Sequence, residues 1–351
     1  MTSPFKFLEP YGKDDAAFFF GRDKETAQLF NAVHASNLTL LYGASGTGKT
    51  SLINCGLANK FYDTDWLPLF VRRGMDINRS LSMALDKKLI ETEENPERLD
   101  ITKKVDLLFL DYFKPVYLIF DQFEELFIFG TKDEQDMFYN TVKMLLETPQ
   151  LHAKIIISIR EEWIAHLNDF EKIVPYLFDN RLRVERMSYD NLCEVVEGTL
   201  HHVGVKIDTP EKTVDMILHN IHDKKDGIAL TNLQVYLDRL YRVAAPLRQG
   251  DTITFTPSVV EQVGPIENVI DDFLDEELVH IEVKLAERGN KQTKGLPLEI
   301  LFALVSDNGT KKPSILADIK AALPQNRGIQ EADIALCLEE FKRIRILRET
   351  E

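Results

Sequence analysis

Asn37-Leu38-Thr39-Leu40-Leu41-Tyr42-Gly43-Ala44-Ser45-Gly46-Thr47-Gly48-Lys49-Thr50 is the stretch that decides the fold. A short apolar run, typical of a buried strand, leads into a glycine-rich loop, and residues 50–60 then have helical spacing. Glycines allow such a loop to turn its backbone N–H groups toward phosphate oxygens, and the helix adds its positive N-terminal end. We therefore expect a phosphate-binding loop that holds ATP or ADP. Its predicted nucleotide contacts are Gly43, Ser45, Gly46, Thr47, Gly48, Lys49, Thr50 and Ser51.

Two further apolar runs end in a charged residue. Residues 116–120 run into Asp121, and residues 154–159 run into Arg160. Residues 65–72 predict another strand, and Pro68 suits an edge position. Helical segments alternate with these strands, which predicts an α/β P-loop NTPase fold with a parallel, doubly wound sheet. Because ligands bind at the carboxyl ends of such strands, Asp121 and Arg160 are candidate site residues.

Asp121 is a candidate metal ligand. A carboxylate at the end of a buried strand is costly unless a cation neutralises it, and Mg²⁺ held by Thr50 and Asp121 meets that need. The alternative is a helix-capping aspartate. Hydrolysis also needs a group that orients or deprotonates water, for which we prefer Glu124 to Glu125. Either glutamate also suits a solvated helix start.

Two arginines complete the predicted site. Arg160 is suited to a bidentate contact with the γ-phosphate, and we assign it a catalytic role beside Glu124. The alternative for Arg160 is a salt bridge with Glu161 or Glu162. Arg22 precedes the first helix, where it either contacts the nucleotide at adenine or caps the sheet.

The character of the sequence changes after residue 186, which predicts three domains: 1–186, 187–255 and 256–351. The middle domain has helical segments at 189–203, 211–221 and 233–243, with a short extended piece at 252–256. The last domain holds three short amphipathic helices, and residues 345–348 could start a β-wing. The predicted apolar face of the first of these helices is Leu298, Leu301, Phe302 and Val305.

Composition limits the function classes. Lys and Arg total 42 against 57 Asp and Glu, a net charge of −15, which disfavours a broad contact with nucleic-acid phosphates. The three cysteines are far apart and predict neither a disulfide framework nor a metal site. The chain shows neither a membrane-length apolar run nor a signal peptide, so we expect a cytoplasmic protein without a membrane partner.

The sequence resembles the bacterial novel STAND class of signalling NTPases over most of its length. The motifs that carry this resemblance are Pro10-Tyr11, residues 19–25, residues 43–51, Asp121-Gln122-Phe123-Glu124-Glu125-Leu126-Phe127, and Ser158-Ile159-Arg160. The resemblance implies a nucleotide-binding domain, a helical lid and a winged-helix-like all-α domain. It also implies ATP-controlled switching from a closed monomer to a homo-oligomer, with a protein or ligand trigger, in defence or signalling. Thr231 stands where the lid of this family often has proline.

Two other functions compete with such a switch. One is an AAA+-like DNA-handling ATPase that uses the winged helix, and the other is a P-loop kinase for a small molecule. A recognition helix presents basic and polar residues from its N-terminal half. The last predicted helix instead begins with acidic residues, and the long helical tail argues against a compact kinase.

We predict that the chain does not bind duplex DNA tightly at physiological salt, because a net charge of −15 provides no counterion-release driving force. Fluorescence anisotropy with labelled duplex DNA, repeated over a salt series, measures this. Sub-micromolar affinity at physiological salt would favour the DNA-handling function.

Overall fold

A computed structural model describes residues 3–6, 9–90, 99–222, 227–248, 250, 252–287, 293–305, 312, 314–324, 328–343 and 346–347. The strands are β1 (Leu38–Gly43), β2 (Leu67–Val71), β3 (Val116–Phe120), β4 (Ala153–Arg160), β5 (Arg181–Arg183), β6 (Lys206–Ile207) and β7 (Thr254–Phe255). No helix within these ranges is long and apolar enough to cross a membrane.

The helices of the nucleotide-binding domain are α1 (Asp23–Ala35), α2 (Lys49–Ser51), α3 (Ile77–Asp86), α4 (Ile101–Tyr112), α5 (Glu125–Phe129), α6 (Lys132–Glu147) and α7 (Asn168–Ile173). Those that follow are α8 (Tyr189–His202), α9 (Pro210–Asn220), α10 (Leu230–Ala244), α11 (Pro257–Val263), α12 (Ile266–Glu287), α13 (Leu296–Ala303), α14 (Leu316–Ala322) and α15 (Glu331–Arg343). Helix α2 continues as a π-helix over Leu52–Leu57 and a 3-10 turn over Ala58–Lys60, so the helical segment predicted at 50–60 is confirmed.

A five-stranded parallel sheet with strand order β2-β3-β4-β1-β5 organises the first domain. Strand β4 lies between β1 and β3, and its register pairs Arg160 with Gly43 at the start of the phosphate loop. Val71 pairs with Phe120 where β2 meets β3. The predicted α/β P-loop fold is confirmed, and Pro68 lies in an edge strand, where its missing N–H removes no hydrogen bond from the sheet.

The two faces of the sheet are covered by different helices. Alternate residues of β1, β3 and β4 pack against α3, α4, α6 and α7 on one face, and against α1 and the helical segment after the phosphate loop on the other. Every residue of β3 is buried, as expected for a central parallel strand. The sheet edge that bears the candidate site is therefore held from both sides.

The predicted helices of the second domain are confirmed as α8, α9 and α10, which share one apolar core. The extended piece predicted at 252–256 contains β7, which pairs in parallel with β6. Val259 and Val260 of α11, and Ile266 and Val269 of α12, belong to the same core. Helix α12 then continues to a separate apolar core, to which Ile281 and Leu285 belong.

Near the end of the chain, α13, α14 and α15 pack against α12 around Ile281, Ile300, Ile334 and Phe341. The predicted apolar face is wrong at three of its four residues: Phe302 is 70% exposed, and Leu298 and Val305 are also exposed. The fourth, Leu301 of α13, packs against this core, in which Leu296 and Ile300 are buried. The helix is apolar on almost all sides, so periodicity does not select the buried face. Arg345 and Arg348 of the predicted wing lie outside the described residues.

Candidate functional site

The carbonyl groups of the phosphate loop are engaged by the protein. The Lys49 ammonium donates to the carbonyls of Gly43 at 2.7 Å and Ala44 at 2.9 Å. The Arg22 guanidinium donates to the Thr47 carbonyl at 2.9 Å, and the Leu230 N–H donates to the Gly46 carbonyl at 3.1 Å. Four carbonyl oxygens of the loop are thus hydrogen-bonded to protein donors.

The N–H groups of Ser45, Gly46, Thr47 and Gly48 differ from the hydrogen-bonded carbonyl groups of the same loop. No protein group in the described part of the chain accepts a hydrogen bond from them. Gly46 and Gly48 adopt φ values of 74° and 87°, a left-handed conformation that glycine permits and that turns successive N–H groups inward. An anion such as a phosphate fits this set of donors.

Lys49 adds a cation at the same place. Burial lowers the pKa of the Lys49 ammonium from its ordinary value, Arg160 lowers it further, and the carboxylates of Glu124 and Asp121 oppose the shift. A polyphosphate that binds beside Lys49 would restore the pKa by adding negative charge. The residues of the phosphate loop thus fit a nucleotide by geometry and by charge.

Thr50 and Asp121 meet at the base of the loop. The Thr50 hydroxyl lies 3.0 Å from Oδ2 and 3.2 Å from Oδ1 of Asp121, whose residue is only 6% exposed. A hydroxyl beside a carboxylate is the hard oxygen donor set that Mg²⁺ prefers, usually completed by water and phosphate. The residues present therefore fit Mg²⁺, and the structure brings the two predicted metal ligands together.

Glu124 and Arg160 form a two-point contact. The Arg160 Nε lies 2.9 Å from Oε1 of Glu124, and the Arg160 backbone N–H donates to Oε2 at 3.2 Å. Glu124 is 4% exposed, whereas the Arg160 side chain is 40% exposed. The arginine is thus paired with Glu124, while Glu161, one of the two partners considered from sequence, pairs with Arg183.

The two candidate glutamates differ in position. Glu124 is buried and precedes α5, and Glu125 is half-buried in the first turn of that helix. The chain reaches Glu124 through Gln122, whose φ of 59° is uncommon for a residue other than glycine. This bend, together with the hydrogen bond from Phe123 N–H to the Ser158 carbonyl, brings Glu124 to the end of β4.

The structure shows the surroundings of three further residues of the predicted site, Arg22, Ser51 and Ser45. Arg22 is 3% exposed and bonds to the carbonyls of Thr47 and Glu185, which joins the phosphate loop to the segment after β5. The Ser51 hydroxyl accepts a hydrogen bond from the Tyr11 N–H, and Ser45 is exposed at the loop. An adenine contact by Arg22 stays a prediction.

The start of α10 contacts the phosphate loop directly. Besides the Leu230 hydrogen bond, a Cβ added to Gly46 would lie 2.9 Å from the Cβ of Ala229. Helix α10 begins at Leu230, so its N-terminal end, with its positive partial charge, lies at the loop. The Thr231 Oγ1 would be 3.9 Å from the same Cβ position.

Two residues near Asp121 were not assigned to the predicted site. The Arg72 Nη2 lies 3.1 Å from Oδ2 of Asp121, at the carboxyl end of β2. Ser158, considered from sequence only as an added polar contact, has a buried Oγ without a hydrogen-bond partner in the described residues. The sequence signal for Arg72 was its place as the last residue of the predicted strand at 65–72, although no motif singles it out.

Comparisons with known proteins identify the family of the chain. A model of the family described as novel STAND NTPase 1 matches residues 4–348. No curated protein matches the chain significantly.

Two solved structures of another protein share the fold at low identity. The ORC2 protein of Aeropyrum pernix in its ADPNP–ADP complexes has a TM-score of 0.54 at 12% identity, covering 98% of this chain and 100% of that chain. Its ADP form has a TM-score of 0.51 at 13% identity, covering 93% and 98%. A Walker-type ATPase of Pyrococcus abyssi has a TM-score of 0.49 at 18% identity, covering 98% and 94%.

We predict that Lys49→Ala weakens Mg-ATP binding by at least about tenfold, because a charge-assisted contact to phosphate contributes about 1.5–3 kcal/mol. Isothermal titration calorimetry measures the affinity. Lys60→Ala, which changes an exposed lysine at the end of the same helical segment, is the control. Equal affinities for Lys49→Ala and the parent would refute the assignment.

We also predict that Glu124→Gln slows ATP hydrolysis by about 100-fold or more, the usual contribution of a general base, and leaves ATP affinity nearly unchanged. Single-turnover hydrolysis separates the chemical step from binding. Glu125→Gln is the matched control. Slow turnover in Glu125→Gln with normal turnover in Glu124→Gln would assign the role to Glu125.

Proposed function

Since this chain belongs to the novel STAND NTPase 1 family and is an ATPase, we propose that it acts as a slow, ATP-gated signalling switch. In this proposal Mg-ATP binding changes the contact between the phosphate loop and the lid, which is residues 187–255. The change exposes surfaces for homo-oligomer assembly after a protein or ligand trigger. We further propose that it works in the cytoplasm of a bacterium, in defence or signal transduction.

The ion pair between Arg160 and Glu124 carries this proposal. Arg160 is level with Gly43 across the β1–β4 pair, so its guanidinium lies at the edge of the sheet where a γ-phosphate would arrive. Arginine retains its charge at any working pH and can bind either a carboxylate or a phosphate with two hydrogen bonds. ATP offers a γ-phosphate and ADP does not, so Arg160 distinguishes the two nucleotides.

Release of Glu124 by Arg160 links nucleotide sensing to hydrolysis. In the structure the Arg160 guanidinium contacts Oε1 and the Arg160 backbone N–H donates to Oε2, so each oxygen of Glu124 has a protein partner. Transfer of the guanidinium to the γ-phosphate frees Oε1 to orient a water molecule or accept its proton. Mg²⁺, held by Thr50 and Asp121, would neutralise charge on the phosphates. Hydrolysis removes the γ-phosphate and allows the ion pair to form again.

In the proposed switch, the contact between the lid and the phosphate loop is the part that changes. Leu230 is hydrogen-bonded to Gly46, and α10 presents its positive end to the same loop. Phosphates that bind to the N–H groups of Ser45 to Gly48 therefore interact with the lid as well as with the loop. A ligand shifts a conformational equilibrium only through such differential contacts.

The packing of α15 favours a switch over a DNA-handling ATPase. Asp333 and Glu340 are buried, and Glu340 pairs with Lys284 at 2.6 Å. Ile334 and Phe341 face the core of the third domain. The helix is thus used for packing, and its acidic first turn is unsuited to a DNA groove.

We predict that Arg160→Ala still binds ADP, loses the preference for ATP, and does not show the ATP-dependent change in shape of the parent. Small-angle scattering with ADP and with a non-hydrolysable ATP analogue measures the change. Arg181→Ala removes an exposed arginine from β5 and is the control. Equal changes in parent and Arg160→Ala would mean that Arg160 has only a structural role. A parent without any change would contradict the switch itself.

A further inference from the structure

Arg72 is an arginine of the nucleotide site that the proposed mechanism does not use. It follows β2, whose last residue Val71 pairs with Phe120, so Arg72 and Asp121 are neighbours beyond the ends of their strands. The backbone fixes this placement, because the Asp121 N–H donates to the Val71 carbonyl at 3.1 Å. The Arg72 Nη2 then reaches Oδ2 of Asp121 at 3.1 Å.

Arg73, the next residue, is a comparison in which the arginine has a structural role. Arg73 is 8% exposed and its guanidinium donates to Glu134 at 2.8 Å and to the Phe129 carbonyl at 3.1 Å. Arg72 is 32% exposed at its side chain, and Asp121 is its one hydrogen-bond or ion-pair partner in the described residues. Arg72 is therefore held by one contact at the edge of the sheet and can turn away from it.

Asp121 is shared between Arg72 and the predicted metal position. Oδ2 accepts from the Thr50 hydroxyl at 3.0 Å as well as from Arg72, so the guanidinium lies within two hydrogen-bond lengths of Thr50. Mg²⁺ at Thr50 and Asp121 would repel this guanidinium and would reduce the negative charge that attracts it. A γ-phosphate beside the metal would offer an anion that could accept the displaced side chain.

We propose that Arg72 binds Asp121 in competition with Mg²⁺ and moves to the γ-phosphate when Mg-ATP is bound. The inference rests on the proposed function, since it assumes that Thr50 and Asp121 hold Mg²⁺ beside a nucleotide. Arg72 then opposes metal binding with ADP, where no γ-phosphate takes its charge, and supports it with ATP. The residue adds a second contact by which the site distinguishes ATP from ADP.

The proposal predicts that loss of Arg72 strengthens Mg-ADP binding and weakens Mg-ATP binding. Loss of a purely structural arginine would not produce these opposite effects. In Arg72→Gln, we expect Mg²⁺ to enhance ADP binding about fivefold more than in the parent, the effect of removing one partly exposed charge pair. We expect the same substitution to weaken binding of a non-hydrolysable Mg-ATP analogue about tenfold, since a charge-assisted contact is lost. Arg72→Lys retains the charge, so both of its affinities should lie between those of Arg72→Gln and the parent.

Calorimetry with ADP and with the analogue, each with excess Mg²⁺ and with EDTA, tests the proposal on the full chain. Electron paramagnetic resonance with Mn²⁺ reports metal affinity in the presence of ADP without requiring activity. Arg79→Gln, an exposed arginine in the first turn of α3, is the control. Thermal unfolding of each variant checks the fold, and Arg72→Lys provides the comparison if Arg72→Gln does not fold.

Tighter Mn²⁺ and Mg-ADP binding together with weaker Mg-ATP-analogue binding in Arg72→Gln would support the proposal. Equal losses of affinity for both nucleotides, or no change in either affinity, would overturn the proposal. The proposed function would remain intact in that case, provided that the parent binds Mg-ATP. A parent whose nucleotide affinity is independent of Mg²⁺ would overturn both.

Discussion

Strand β4 lies between the strand that carries the phosphate loop and the strand that carries Asp121, and the rest of the site depends on this insertion. Parallel pairing aligns the carboxyl ends of the strands, so Gly43 and Arg160 are level with each other. The same alignment places Glu124 within reach of Arg160, and Arg72 within reach of Asp121. Hydrogen bonds of the sheet thus set the geometry of the charged side chains.

The site holds three cations and two buried carboxylates in mutual contact or close proximity. Asp121 is neutralised by Arg72, Glu124 is neutralised by Arg160, and Lys49 is directed at loop carbonyls. Each pair avoids the high cost of an isolated buried charge. In the proposed switch, Mg-ATP would bring up to four negative phosphate charges and two positive metal charges, and these would replace the protein partners of both carboxylates. The exchange of partners is the physical basis of the proposed switch.

Local sequence patterns predicted much of the fold because the signals were strong. The apolar runs of β1, β3 and β4 are typical of buried parallel strands, and the phosphate loop has a fixed spacing. Strand β5 was missed because it is short and reads Arg181-Leu182-Arg183, without an apolar run. Helix α4 went unassigned although Asp100 caps it, and its buried side includes Lys104, which obscures the apolar face.

The contacts of the site were harder to predict than its members. The partner of Arg160 is Glu124, and this choice depends on the strand order, which no local pattern encodes. Arg72 belongs to no motif, and only the β2–β3 register brings it to Asp121. A structure of the chain with Mg²⁺ and a non-hydrolysable ATP analogue tests the central claim most directly. We predict that the Arg160 guanidinium leaves Glu124 and contacts the γ-phosphate. An Arg160–Glu124 ion pair that persists beside a bound γ-phosphate would contradict the account.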